Sequence, residues 1–406
     1  MLYQFYQSYA DAIAPFQGMA AAYGQAVGRP WWGIPETQAQ RGIAAACELF
    51  AQGRLQHHRP EFAIDSVAVG NRGTVPVREE KIWVRPFGTL LHFAKDGEAQ
   101  QPKVLLVSPM SGHFATLLRH TVRTMLPEHD VYITDWHNAR DVPLASGDFD
   151  FDDYIDYVIA FLEKIGEGAH VVAVCQPAVA VLAAVALMAQ TGNSCQPRSM
   201  TLMAGPIDTR INPTKVDELA MQHPIEWFEA NLIDRVPGTH AGALRQVYPG
   251  FLQIAAFMAM NLERHLRAFS RHFENLVEED EKGIAAHRAF YDEYFAVMDL
   301  PAPFYLQTVS RIFQKHELAR GVLVSRGRKV EPAAIRRTAL LTVEGEKDDI
   351  CAVGQTLAAQ ELCKSILPLR RNHHLQTGVG HYGVFSGRRW ATEVYPRVRQ
   401  MIWTNN

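Results

Sequence analysis

The sequence predicts an α/β fold with a mostly parallel central sheet, a helical and β-meander section in front of it, and a helical cap inserted within it. Three observations carry this. From residue 103 onward, short β-branched runs alternate with helical stretches, namely KVLLVSPM, DVYITDW, HVVAVC, SMTLMAG, TALLTVEG and HHLQTGV. Continuous apolar runs of this length describe strands buried on both faces. The rhythm stops at Gly205 and resumes at Thr338, and the stretch between is rich in aromatic residues and Met. That stretch reads as mostly helical.

Taken in order, residues 2, 5, 6, 9, 13 and 16 are Leu, Phe, Tyr, Tyr, Ile and Phe, a helical period broken at Pro30 to Pro35 and resumed over Gln38 to Gln56. Asp65 to Phe93 then alternates in the β manner. The expected organisation is residues 1–100 as the front section, 101–205 with 331–406 as the core, and 206–330 as the cap. A chain of 406 residues with 48% apolar and 20% charged residues folds around a large core, which excludes a disordered or coiled-coil class. Forty Lys and Arg against 43 Asp and Glu give a net charge of −3 and no field suited to nucleic acid. The five cysteines, Cys47, Cys175, Cys195, Cys351 and Cys363, form no C-x-x-C pair, so neither a disulfide framework nor a zinc site is indicated. The first basic residue is Arg29, and the longest apolar stretch, Pro177 to Ala189, is shorter than the roughly 20 residues of a membrane span. A soluble cytoplasmic protein without a membrane span is expected.

The most informative junction is HVVAV-Cys175-Gln176-Pro177-AVAVLAA, where a strand runs directly into an apolar helix. In α/β-hydrolases such a corner is the nucleophile elbow, and the N–H of the next residue faces the oxyanion. A helix N-terminus also favours a thiolate. The usual G-x-S-x-G is replaced by Ala173-Val174-Cys175-Gln176-Pro177, and Pro177 suits the first turn of a helix. A buried structural cysteine is the other reading of Cys175. A nucleophile needs a base, and the base an orienting acid. TALLTVEG leads into Asp348-Asp349, and HHLQTGV leads into Gly380-His381. The order Cys175, Asp348, His381 is the nucleophile, acid, base order of α/β-hydrolases.

MLYQFYQSYADAIAP, SPMSGHFATLLRHTVRTMLPEHDVYITDW, VVAVCQPAVAVLAA, LMAGPIDTR, VYPGFLQ, FYDEYFAVMDL, LLTVEGEKDDI and GHYGVFSGRRW together resemble the intracellular poly(3-hydroxybutyrate) depolymerases, over nearly the whole chain. The resemblance implies an α/β-hydrolase fold, a cysteine nucleophile and hydrolysis of ester bonds in the amorphous polymer of storage granules. It makes Cys175 the nucleophile, His381 the base and Asp348 the acid, with Asp348 preferred to Asp349 by the G-x-x-D spacing from Gly345. Gln176 is expected to supply one oxyanion N–H, and Met110 or Ser111 the other. Water or a thiol such as CoA fits as acceptor.

His113 is either a pocket residue or a helix-start histidine. Asp135 and Trp136 are expected near the site, although a strand-end Asp often caps the following turn. His57-His58 and His373-His374 lack partners at zinc-ligand spacing, and Gly166-Glu167-Gly168 precedes a strand, the wrong context for a dinucleotide fingerprint. No cofactor or metal is implied. Two rival functions are a polyhydroxyalkanoate synthase and a non-catalytic granule-binding protein. Contact with the granule and its polymer chain must come from exposed apolar surface. The stripe Leu2, Phe5, Tyr9, Ile13 and Phe16 is expected to pack on its own domain, leaving the cap segment VYPGFLQIAAFMAM as the contact surface.

Overall fold

The computed structural model describes residues 2–27, 37–70, 73–96 and 101–406. Two helices, α1 (Leu2–Val27) and α2 (Gln38–Gln52), open the chain. The break expected at Pro30 to Pro35 lies outside the described residues. A nine-stranded sheet follows, made of β1 (Ser66–Ala68), β2 (Thr74–Arg85), β3 (Gly88–Lys95), β4 (Lys103–Val107), β5 (Asp130–Trp136), β6 (His170–Val174), β7 (Ser199–Met203), β8 (Ala339–Gly345) and β9 (Arg371–Gln376). Its spatial order is β1-β2-β3-β5-β4-β6-β7-β8-β9. β4 to β9 run parallel, and β1 to β3 form the antiparallel meander that joins at β5. This is the α/β-hydrolase fold.

Alternation along the strands explains why their apolar runs are unbroken. On β4, Leu105 and Val107 face one core cluster while Val104 and Leu106 face the other. On β6, Val171 and Ala173 face the first, Val172 and Val174 the second. Helices α3 (Arg119–Met125) and, near the end of the chain, residues 390–402 cover one face. The other carries α4 (Phe151–Ile165) and α5 (Pro177–Gln190). Every residue of α5 from Pro177 to Met188 is buried, so a helix without a polar side is what this position requires.

Between β7 and β8 the chain is mostly helical, with α6 (Lys215–Gln222), α7 (Ile225–Leu232), α8 (Gly250–Met260), α9 (Leu262–Glu278), α10 (Glu281–Tyr294) and α11 (Ala302–Thr308). No described helix is long and apolar enough to cross a membrane.

The opening helix forms but turns the other way from the expectation. It runs through Pro15 to Val27, and its stripe of large residues faces outward, with Phe5 71% and Phe16 58% exposed. Its inner contacts come from two tyrosines and small residues. Tyr3 is buried and donates its hydroxyl to Asp299 Oδ2 at 2.5 Å, and Tyr6 stacks on Phe251 at 4.2 Å. Gly24 packs against Cys47 of α2, where a Cβ would approach the Cys47 Cβ to 3.0 Å. A close helix pair therefore wins over burial of the bulkier face.

One contact fixes the sheet against α5. A Cβ on Gly205, just past β7, would lie 2.1 Å from the Ala178 Cβ and 2.9 Å from the Cys175 carbonyl oxygen. Ala178 is fully buried, and the Cys175 carbonyl is backbone held by the Ala178 N–H, so neither moves aside cheaply. Gly205→Ala is expected to destabilise the fold by about 1–3 kcal/mol, the range for overpacking, read as a lower urea midpoint at unchanged slope.

Candidate functional site

The site forms at the carboxyl ends of β6 and β8. At the corner between β6 and α5, Cys175 adopts φ +68, a left-handed conformation that a non-glycine residue holds only when its surroundings enforce it. They do so here through backbone bonds on both sides, Cys175 N–H to Met203 O at 2.8 Å and Ala178 N–H to Cys175 O at 3.1 Å. Pro177 occupies the first turn of α5, where its missing N–H costs no intrahelical bond. Cys175 is half-buried and forms no disulfide.

The loop after β8 brings Asp348 under the loop after β9. His381 Nδ1 and Asp348 Oδ2 are 2.8 Å apart, and both residues are buried. The other carboxylate oxygen, Oδ1, accepts the N–H groups of Ile350 and Cys351, each at 2.9 Å. Asp348 is thus held on three sides. Burial alone would push the His381 imidazole down, but the charges of Cys175 and Asp348 and their side-chain hydrogen bonds outweigh it and raise the ring well above its ordinary value. With Nδ1 turned to Asp348, Nε2 is the nitrogen left for Cys175. The structure therefore brings Cys175, Asp348 and His381 together, while Asp349 is exposed and accepts the Asn261 side-chain N–H at 3.5 Å.

The loop after β4 faces this corner with fewer commitments. Met110 is buried and Ser111 half-buried, and the next residue, Gly112, has φ +104. A side chain at Gly112 would run into Gln253 Oε1 at 2.5 Å, and its carbonyl accepts Met298 N–H at 2.8 Å. His113 is buried with Nε2 3.2 Å from the Tyr294 carbonyl, and burial pushes its ring down to about 4. It thus ties the loop to α10. Gln176 is buried, and neither atom of its side-chain amide has a partner among the described residues.

Other sequence candidates lie apart from this cluster. Asp135 pairs with Arg59 Nε at 3.2 Å rather than capping the next turn, a task done by Asn138, which accepts Arg140 N–H. Burial pushes the Asp135 carboxyl up to about 6, against the pull of Arg59. Trp136 donates its indole N–H to the Ser108 carbonyl at 2.9 Å. His57 meets the Tyr6 hydroxyl, His373 the Thr342 hydroxyl and His374 the Gln376 amide. No group of three metal-ligating side chains occurs among the described residues. Gly166 and Gly168 have φ +88 and +84 in the turn between α4 and β6.

Glu344 was not singled out from the sequence. It is fully buried at the end of β8 and accepts N–H groups from Gly354, Thr356 and Leu357 at 2.8–3.0 Å. It orders the loop that carries Asp348. A lone acid inside an apolar strand is the signal that could have found it.

Fold and site together define an α/β-hydrolase with a nucleophile-type elbow occupied by cysteine. Residues 204–406 match the family model described as PHB de-polymerase C-terminus. The chain belongs to the PHB depolymerase family, ester hydrolases of the α/β-hydrolase superfamily. The matched region includes Asp348 and His381, whereas Cys175 precedes it. Comparison with curated proteins gave no match. Among solved structures, the chain is similar to the 2-hydroxy-6-oxo-6-phenylhexa-2,4-dienoate hydrolase of Rhodococcus sp. strain RHA1 (12% identity, 81% of this chain and 99% of that one, TM-score 0.44). It is also similar to a thermophilic esterase from Thermogutta terrifontis (10% identity, 83% and 98%, TM-score 0.41). A third is the Paleococcus ferrophilus monoacylglycerol lipase (11% identity, 75% and 96%, TM-score 0.43).

Asp348→Asn should lower the pKa of the His381 imidazole, visible by NMR titration of the ring, while Asp349→Asn leaves it in place. Equal responses of the two variants would show that Asp348 is not the partner that sets the ring.

Proposed function

We propose that the protein hydrolyses the ester bonds of amorphous poly(3-hydroxybutyrate) through an acyl-enzyme on Cys175 and releases 3-hydroxybutyrate monomers and oligomers, acting in the cytoplasm at storage granules. One observation carries this reading, the strained cysteine corner facing an Asp348-bonded His381 in a chain of the PHB depolymerase family. His381 Nε2 takes the Cys175 proton, and the thiolate sulfur adds to the ester carbonyl carbon. The Gln176 N–H and an N–H of the 110–112 loop, assigned to Ser111, hold the oxyanion. As the intermediate collapses, the C–O bond breaks and the imidazolium donates its proton to the leaving alkoxide oxygen. Water, deprotonated by His381, then attacks the thioester, and the thiolate leaves with the acid product free. Asp348 holds the ring by Nδ1 and supports its charge throughout.

In this reading residues 101–205 and 331–406 form the catalytic core, residues 1–100 complete it, and 206–330 serve as the cap over the site. Contact with the apolar polymer surface is assigned to the outward stripe of α1 rather than to the cap. Between Leu2 and Val27 only Asp11 is charged, and Phe5, Tyr9, Phe16 and Tyr23 are each more than half exposed. By contrast, Ile254 of α8 is buried and Leu252, Phe257 and Met258 are partly covered.

The deciding experiment mixes purified protein with amorphous polymer granules and measures released 3-hydroxybutyrate. Wild type should release it, and Cys175→Ala should fall to background while melting normally. Acylation by a reactive ester should map to the Cys175 peptide, and release by the alanine variant would overturn the assignment. Asp348→Asn should lose roughly 10³–10⁴-fold in kcat, as expected when the base is held in the wrong tautomer. Replacing Phe5, Tyr9 and Phe16 together by Ser should lower granule binding by at least about tenfold, since each buried aromatic contributes more than about 1.4 kcal/mol. Hydrolysis of a short soluble ester should persist in that variant. Undiminished sedimentation with granules would return the contact surface to the cap.

A further inference from the structure

The loop assigned to the oxyanion is held from two sides, and one of them is the cap. Val107, the last residue of β4, lies opposite Ala173 of β6, so the two chains leave the sheet side by side, one toward residues 110–112 and the other toward Cys175. At the root of the loop the Ser108 carbonyl accepts two side-chain donors, the Trp136 indole N–H at 2.9 Å and the Tyr154 hydroxyl at 3.0 Å. Burial raises the Tyr154 phenol and, more weakly, so does the charge of Cys175, as expected of an anchor near the nucleophile.

At the far end of the loop the partners come from residues 248–298 instead. His113 and Val297 form an antiparallel bridge, and Met298 donates its N–H to the Gly112 carbonyl at 2.8 Å. Gln253 of α8 closes this contact. It is 3% exposed, a lone amide in the apolar helix GFLQIAAFMAM. Its Nε2 donates to the carbonyls of Tyr248 at 3.0 Å and Met298 at 3.2 Å. Those two acceptors fix which end of the amide is which, because an oxygen turned toward two carbonyls would find no donor. The Oε1 end is therefore committed to the side of Gly112, where a Cβ would meet it at 2.5 Å. Gly112 has φ +104 and no side chain, so the amide rests directly against the backbone of the loop. Met298 is gripped twice, at its N–H by the loop and at its carbonyl by the amide.

We infer that Gln253 is a positioning residue for the oxyanion hole, holding the backbone at Gly112 through Met298 and so fixing the direction of the Ser111 N–H one residue before. The inference rests on the proposed function, which assigns the oxyanion to this loop. A buried amide is costlier than an apolar side chain of equal length unless its hydrogen bonds are made, and what it adds here is direction. Direction matters because an oxyanion donor acts on charge that develops only in the transition state. A tilted Ser111 N–H would leave ester binding as it is and slow the attack. The cap thereby completes the hole as well as covering it.

The test compares wild type with Gln253→Met, equal in length and without donors, in two reactions at Cys175. p-Nitrophenyl acetate acylates the thiolate through a tetrahedral oxyanion and releases p-nitrophenolate. Iodoacetamide alkylates the same sulfur by displacing iodide, with no oxyanion formed. Both rates are read by mass spectrometry on the Cys175 peptide. In Gln253→Met acylation should slow by at least about tenfold, within the roughly 10²–10³-fold that loss of one oxyanion donor costs, while alkylation keeps its wild-type rate. With a short soluble ester, kcat should fall and KM should hold. If Gln253→Met melts early, Gln253→Glu, which keeps the shape and gives up the amide donors, carries the same comparison. Wild-type acylation in the variant would overturn the inference, and so would equal slowing of both reactions, which marks a general disturbance of the corner. A wild type that is alkylated but never acylated at Cys175 would instead overturn the proposed function beneath it. The two failures are thereby distinguishable.

Discussion

The approach of Gly205 to the corner at Cys175 is the contact on which the rest of the site depends. A left-handed cysteine costs on the order of 1–2 kcal/mol, and the corner keeps it only because two backbone bonds and a tight wall leave no alternative. In a G-x-S-x-G elbow the flanking glycines supply the room for such a turn. Here Ala173 and Pro177 stand at those places, and room comes from the neighbouring strand instead, where Gly205 lets the Cys175 carbonyl and Ala178 come within distances no side chain would allow. The departure from the usual motif is compensated in space rather than in sequence. Pro177 adds to this, because its fixed φ starts α5 at once and leaves no slack through which the corner could relax.

The acid is positioned by a second device of the same kind. Asp348 lies in a loop with little regular structure, and an isolated loop would not hold a carboxylate within hydrogen-bond reach of a buried ring. Glu344 supplies the missing order by gathering three N–H groups from residues 354–357 onto one buried carboxylate. Asp348 in turn gathers two more from residues 350 and 351. The loop is therefore folded around two acids with different tasks, one turned inward to backbone and one turned to His381. Breaking a buried charged acceptor of this sort leaves several donors unmet at once, so the geometry tolerates little drift.

How far this was legible in the sequence follows from which forces are local. Five of the six parallel strands announced themselves because both of their faces are buried, as Val104 to Val107 show, and burial on two sides writes an unbroken apolar run, whereas β9 is an edge strand that is largely exposed and polar. The order of Cys175, Asp348 and His381 was legible because strand ends dictate where loops emerge. Asp348 could be preferred to Asp349 only by spacing, since what separates them is which one Glu344 and its loop turn inward. The facing of α1 was not legible. An apolar stripe says that something covers it, but not that Ala and Gly on the opposite side pack closely enough on α2 to win. The sequence leaves Asp135 as either a cap or a neighbour of the site, because its ion pair with Arg59 depends on a loop far away in sequence.

These contacts also join the surface of α1 to the catalytic corner. Tyr3 of α1 donates its hydroxyl to Asp299, whose other oxygen accepts the N–H of Gly250 at the start of α8. One residue earlier, Met298 donates its N–H to the carbonyl of Gly112 in the loop assigned to the oxyanion. Asn138 closes the arrangement by accepting the Asp299 N–H. In the proposed function, a helix that rests on a polymer surface through Phe5, Tyr9 and Phe16 would thus be no loose tether. It is held at its root by the residues that position the 110–112 loop, so docking would set the orientation of the site toward the surface as well as its proximity. For the proposed substrate, neutral, insoluble and without charge to steer by, orientation would have to come through a rigid apolar contact of this kind.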